Sequence, residues 1–378
     1  MPYGTDNAPR APWVGSVPMT SEHLGAWAAD AIRRLHAEGR AHGPTPLRPL
    51  PLPALPDIQV YLKDESAHPT GSVKHRLVRA MFRRAITSGR ITADTTVVAA
   101  TGGAVAVAGA HFARLLDLSF RAVVPAKTPA DALVRIEREG GRWQPAEQPP
   151  AAVQQEARAL AERLGGHFLD HFTDAGPALA ECGEPTIADE IFEQLRAEPH
   201  PVPAWIVTGA ATGATSASIG RRLRHHGHPT RLAVVDPENS AYFPAWASDC
   251  RDYATGMPSR IPGIGRPRTE PGFLPSVIDL VIPVPDAASI AALRWLHDTA
   301  GVPAGPAAGT GLWGVCHLVS RMRAAGARGS VVSLVGDHAE PYRNTHLDPE
   351  WVRARGFDPG PYADAVERFA TTGEWDAG

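Results

Sequence analysis

"IQVYLKDESAHPTGSVKHRLVRAMFRRAITSG", residues 58–89, reads as a strand, a turn and a helix in one run. The β-branched and aromatic residues at its start suit a strand, and Pro69 and Gly71 interrupt the chain. Leu77, Val78, Met81, Phe82, Ala85 and Ile86 then recur at helical spacing, Gly89 supplies the stop, and Arg79, Arg83 and Arg84 are expected to face outward. Lys74 falls in the first turn of that helix. Unpaired N–H groups make this a poor place for a cation, by about 0.3 to 1 kcal/mol. By position alone, Lys74 reads either as a surface residue with its stem on the sheet or as an amine held for nucleophilic chemistry.

The same alternation continues outward. Residues 95–101 and 120–126 read as strands, 105–116 and 129–140 as helices, and 21–40 as a preceding helix with Trp27, Ala28, Ala31 and Leu35 on one face. After residue 150 a second series follows, with helices at 151–165, 186–195, 214–226, 287–301 and 309–326 and strands at 204–210, 230–238 and 330–337. Strands alternating with helices specify right-handed βαβ units, hence an α/β fold with mostly parallel sheets flanked by helices. Residues 240–275 are rich in Gly, Pro and aromatics without a period, and are expected to form a long loop over a cleft or a subunit boundary.

The 378-residue chain is long enough for two domains. Its net charge of −3 gives no reason to expect nucleic acid or an anionic membrane as partner. Cys182, Cys250 and Cys316 are an odd number without paired spacing, which suggests neither disulfides nor a zinc site, and a cytoplasmic location is expected. His225 and His226 lie among arginines, as at a solvated helix end, and no metal is expected.

Three further stretches could hold a ligand. "GAATGATSASIG", 209–220, passes from strand to helix on small residues, so its N–H groups and the hydroxyls of Thr212, Thr215 and Ser216 could close on a phosphate. "ATGGAVAVAG", 100–109, is a similar turn that suits a carboxylate. "VGDHAEPY", 335–342, brings Asp337 and His338 to a strand end. Ligand-free turns and a capped strand end with solvated charges explain these stretches equally well.

In this order, the four segments resemble the fold-type II pyridoxal-phosphate enzymes of the cysteine synthase and cystathionine β-synthase group, nearest the branch that contains L-cysteine desulfhydrases. "KDESAHPTGSVKHR" is similar to the block whose lysine holds the cofactor as a Schiff base, which assigns that role to Lys74. "ATGAT" stands where the family has its phosphate cradle, implying cofactor contacts from Ala211, Thr212, Gly213, Ala214 and Thr215. "TGGAV" stands at the substrate-carboxylate loop, implying substrate contacts from Thr101, Gly102, Gly103 and Val105, with Ala104 at a cofactor-contacting position. "VVDPENS", "GIGRP" and "VVSLVGDHAEPYRNT" also fall in family order, which adds Gly263 to the substrate side and Asp337 or His338 opposite the pyridine nitrogen.

The resemblance implies a two-domain, tryptophan synthase β-like fold. The expected division gives residues 50–180 to a smaller domain with Lys74 and the substrate loop, and 21–49 with 181–346 to a larger one. Residues 1–20 are read as poorly ordered and 347–378 as an extension. The implied activity is β-elimination or β-replacement on a β-substituted L-amino acid through an aminoacrylate, in a homodimer.

There are departures from the family pattern. Gly102, Ala104 and Val105 replace side chains that usually contact substrate or cofactor, and each lost neutral hydrogen bond is worth about 0.5 to 1.5 kcal/mol. An unusual substrate is therefore expected, and a non-catalytic or regulatory homologue is the alternative. Ala211 and Ala214, in place of glycines, are tolerable only if their φ is negative.

Overall fold

The structure, a computed structural model, describes residues 25–147 and 152–376. The expected poorly ordered segment, 1–20, lies outside them. In chain order the strands are β1 (Leu47–Leu50), β2 (Ile58–Asp64), β3 (Val97–Ala100), β4 (Phe120–Val124), β5 (Arg142–Pro145), β6 (His167–Phe168), β7 (Trp205–Gly209), β8 (Arg231–Pro237), β9 (Leu280–Val284) and β10 (Gly329–Val335). The helices are α1 (Ala26–His42), α2 (Lys74–Thr87), α3 (Ala104–Leu115), α4 (Ala130–Arg138), α5 (Val153–Arg163), α6 (Ala175–Glu181), α7 (Ile187–Leu195), α8 (Ala214–His225), α9 (Tyr242–Ala247), α10 (Asp286–Asp298), α11 (Pro306–Ala324), α12 (Pro349–Ala354) and α13 (Gly360–Thr372).

Two sheets organise the chain. The larger has the order β1-β2-β10-β7-β8-β9 and is parallel except for β1, which pairs antiparallel with β2. Its strands are apolar on both faces, as parallel strands covered on both sides must be. Val60, Val207, Val235 and Val331 pack on the side of α10, α11 and α13. Their immediate neighbours Tyr61, Ile206, Val234 and Val332 join α7 and α8 in a separate core, because successive side chains on a strand point to opposite faces.

The smaller sheet, β5-β4-β3-β6, is parallel throughout. Val97 and Ala122 join the core formed with α2 and α3, while Val98 and Val123 turn to α5. Within α2, the buried Leu77, Val78, Met81, Phe82, Ala85 and Ile86 form the expected apolar face. Full burial of each large side chain is worth about 1.5 to 3 kcal/mol before entropy is counted.

Three expectations change in the structure. Strand β2, assigned to the smaller domain from sequence, lies in the larger sheet, because its backbone pairs with β10 from Ile58 to Asp64. Arg79 does not face outward: it is buried and bonded to Glu38 and Glu184, which neutralise it. The irregular 240–275 segment contains the helix α9, and Gly263 and Ile264 line an interior cavity. The expected extension packs onto the larger domain, with Val366 and Phe369 of α13 in its core.

Candidate active site

Lys74 is the first residue of α2, and its backbone N–H donates to the Ser72 hydroxyl at 3.1 Å. The turn before it is fastened to the end of β10: Val73 N–H donates to the Gly336 carbonyl at 2.8 Å, and His338 N–H donates to the Gly71 carbonyl at 3.0 Å. The backbone thus fixes where the lysine starts. The partly exposed side chain lines a cavity with Thr208–Gly213, Thr215, Ser216, Gly263, Ile264, Gly336 and Asp337. No described residue hydrogen-bonds its amine. Burial lowers the pKa of Lys74, and the Asp337 carboxylate opposes that shift.

The loop from β7 to α8 forms another wall. Gly213 caps α8 with φ +81°, and a β-carbon there would lie 2.3 Å from the Phe273 nitrogen, so this position needs glycine. Ala211 and Ala214 are not in the left-handed region, which removes the objection to alanine at those positions. Ala214 N–H donates to the Thr212 hydroxyl at 3.3 Å, and the Ser216 hydroxyl donates to the Gly213 carbonyl at 2.9 Å. The N–H groups of the first turn of α8 have no partner within the helix, which suits an anion.

Asp337 and His338 separate clearly. Asp337 lines the cavity; its Oδ1 is buried without a hydrogen-bond partner, and its Oδ2 accepts from the Tyr342 hydroxyl at 3.4 Å. Gly263, at φ +85°, lies so close that a β-carbon would be 3.0 Å from that Oδ2. His338 is outside the cavity lining and accepts from the Glu340 N–H at 3.2 Å.

Thr101, Gly102, Gly103, Ala104 and Val105 occupy the turn from β3 into α3 and are not among the residues lining the Lys74 cavity. The Thr101 hydroxyl accepts from Gly103 N–H at 3.1 Å, and Val105 is buried. Gly102 does not widen the site, because Thr128 fills the space its side chain would take.

His171 was not found from sequence. It is buried, its Nδ1 has no hydrogen-bond partner, and burial lowers its pKa to about 4, with Lys74 and Arg266 among the charges acting on it. It follows β6, a strand of two residues, too short to produce a periodic signal. A larger cavity lined by Arg76, Arg79, Glu184 and Glu190 does not include Lys74, and its charges already pair with one another.

The donor set fits pyridoxal phosphate. An unpaired amine, an orphaned carboxylate oxygen and a helix N-terminus converge on one cavity, and the cofactor carries an aldehyde, a ring nitrogen and a phosphate.

Comparison with known proteins agrees with this chemistry. A family profile described as "Pyridoxal-phosphate dependent enzyme" matches residues 39–337. The chain is 47% identical to L-cysteine desulfhydrase Cds1 of Mycobacterium tuberculosis over 354 residues, 93% of this chain and 96% of that protein. It is 28% identical to N-(2-amino-2-carboxyethyl)-L-glutamate synthase of Ralstonia nicotianae, over 78% of this chain and 84% of the other. Among solved structures, O-ureido-L-serine synthase superposes with a TM-score of 0.72 at 25% identity, over 86% of this chain and 96% of that one.

Proposed function

The chain belongs to the pyridoxal-phosphate dependent enzymes, and we propose that it catalyses β-elimination from L-cysteine or a close β-substituted relative. In the balanced reaction, L-cysteine and water give pyruvate, hydrogen sulfide and ammonia. The observation that carries this reading is the 47% identity, across nearly the whole chain, to a protein named for L-cysteine desulfhydration. β-Replacement on the same class of substrate is the companion reaction to test. The unusual substrate expected from Gly102 loses support because Thr128 fills that space. A non-catalytic homologue is disfavoured by a cavity that keeps an unpaired amine beside an unpaired carboxylate oxygen.

Lys74 would be the cofactor's attachment point. The first turn of α8, with Thr212 and Thr215, would receive the phosphate, and Asp337 would face the ring nitrogen. Ala104 would offer no side-chain contact. When bound, the cofactor supplies an electron sink that makes the Cα proton of an amino acid acidic. The chain supplies the rest. The Lys74 amine, its pKa lowered by burial, takes that proton at Nζ and can return it. Asp337, fixed by Tyr342 and by the backbone ties to residues 71–73, holds the ring in one orientation. Thr101 and the N–H groups of residues 102–105 are the proposed contacts for the substrate carboxylate, with Gly263 beside it.

We also propose that each sheet is the core of one domain and that the protein is a cytoplasmic homodimer; the last two rest on resemblance and composition. No helix among the described residues is long and apolar enough to cross a membrane.

An absorbance spectrum with a sulfide and pyruvate assay tests the reading. A visible cofactor band lost in Lys74→Ala, with sulfide and pyruvate released in equal amounts from L-cysteine, is the expected result. A protein that takes up no pyridoxal phosphate would overturn the site. A holoenzyme that makes a new amino acid from O-acetylserine but no pyruvate from L-cysteine would overturn elimination in favour of replacement.

A further inference from the structure

Away from the cavity, three helices converge on a group of side chains that the proposed reaction does not use. Glu38 comes from α1, His75 from α2 and His111 from α3, and one ligand atom from each lies within 4.8 Å of the others. We propose that Glu38, His75 and His111 form a binding site for a divalent transition-metal ion of the zinc class, which fastens α1 to the α2–α3 pair.

The hydrogen bonds around the group are those of a ligand shell. His111 engages Glu139 through Nδ1 at 3.0 Å, and its Nε2 is buried without any hydrogen-bond partner. His75 engages the Thr70 hydroxyl through Nδ1 at 3.2 Å and presents Nε2 to Glu38 Oε1 at 2.8 Å. Metal-binding imidazoles characteristically have the second ring nitrogen held in this way, which fixes tautomer and orientation. Arg79 holds the other oxygen of Glu38 at 3.2 Å, leaving Oε1 turned to the histidines.

A hydrogen-bonded Glu–His pair alone would account for His75 and Glu38. It does not account for the unpartnered nitrogen of His111. Two imidazoles and one carboxylate suit zinc, leaving a position for water or a further ligand. His42, one turn beyond Glu38, brings Nε2 to 3.6 Å from Glu38 Oε1 on a half-exposed side chain, so it stands at the entrance as a candidate fourth ligand. With zinc–ligand bonds of roughly 2.1 Å, donors in a tetrahedral shell sit about 3.3 Å apart, so the group must draw in by an ångström or so. The charges favour this: carboxylates Glu38, Glu139 and Glu184 face the guanidiniums of Arg79 and Arg114, leaving one negative charge in excess when the imidazoles are neutral. Spacing along the chain hides the group, because its members lie on separate helices.

The test uses the full-length holoenzyme, stripped with a chelator and titrated with zinc ion at neutral pH. The expected result is one zinc per chain, retained through gel filtration and accompanied by a higher Tm, with the cofactor spectrum unchanged. His111→Asn and Glu38→Gln should each lose that equivalent, and Glu139→Gln should weaken binding at least about tenfold. A wild-type protein that retains no stoichiometric zinc overturns the proposal whether or not the variants fold. So does a folded His111→Asn variant that keeps the same equivalent, which would place the ion at surface histidines such as His225 and His226.

Discussion

Thr128 stands in the space that a side chain at Gly102 would need: a β-carbon built on Gly102 would lie 2.5 Å from Thr128 Cγ2 and 3.0 Å from its Oγ1. The Thr128 hydroxyl donates to the Pro125 carbonyl at 2.7 Å, which resists rotation out of the way. Gly102→Ser alone should therefore cost about 1 to 3 kcal/mol through overpacking, and adding Thr128→Ala should recover most of it. Denaturant unfolding of both single variants and the double measures this coupling. Simple additivity would mean that the two residues do not compete for the same volume.

Gly213→Ala meets backbone rather than a movable side chain, with Phe273 N at 2.3 Å and Phe273 Cα at 2.4 Å, at a left-handed φ of +81°. We expect a loss of about 2 kcal/mol or more and weaker retention of pyridoxal phosphate on dialysis. Ala211→Gly, where φ is not positive, should change stability by only about 0.5 to 1 kcal/mol. Equal effects from the two variants would sink the argument for the loop.

Lys63 is completely buried and donates to Glu190 Oε2 at 2.6 Å, the Thr45 carbonyl at 2.6 Å and Gln194 Oε1 at 2.9 Å. Glu190→Gln strips the countercharge from this ammonium and from Arg76, which donates to Glu190 Oε1 at 2.7 Å. The expected cost is about 3 to 5 kcal/mol. Replacing both ends together, as Lys63→Met with Glu190→Leu, should cost less than Glu190→Gln alone. The unfolding midpoints of the two proteins decide the matter.

Asp236 is 1% exposed; its Oδ2 accepts from the Phe243 N–H at 2.7 Å and its Oδ1 has no partner, and burial raises its pKa to about 6. An unfolded aspartate titrates near 3.9. Between those values the folded protein holds a proton that the unfolded chain has released, so this group's contribution to stability falls as pH rises through the window. The loss is complete above the folded pKa and amounts to about 3 kcal/mol at most. Asp236→Asn should therefore gain on wild type from pH 4 to pH 8 in parallel thermal melts. A difference that does not vary with pH would exclude Asp236 as its source.

What the sequence discloses is local. The helix carrying Lys74 and the strand-to-helix turn at 209–214 each rest on a few neighbouring residues, and each could be placed from turn chemistry and period. Long-range pairing left no such mark. Nothing in residues 58–64 says that they pair with 329–335 rather than with β3, since both partners are apolar parallel strands. Arg79 sits on the helix among residues that look solvent-facing, and only contacts with Glu38 and Glu184, far away in the chain, make its burial tolerable. His171 escaped notice because its signal is the orphaned Nδ1, which exists only once the chain is folded.

The position of β10 sets a timetable for synthesis. This strand joins β2 to β7 in the larger sheet, and it leads directly into Gly336 and Asp337, which complete the wall beside Lys74. On the ribosome, residues 58–64 and 205–209 emerge long before their common neighbour at 329–335, whereas β3 to β6 can pair among themselves much earlier. The amine of a nascent chain thus spends most of translation without its cavity, and capture of the cofactor becomes one of the last events of maturation.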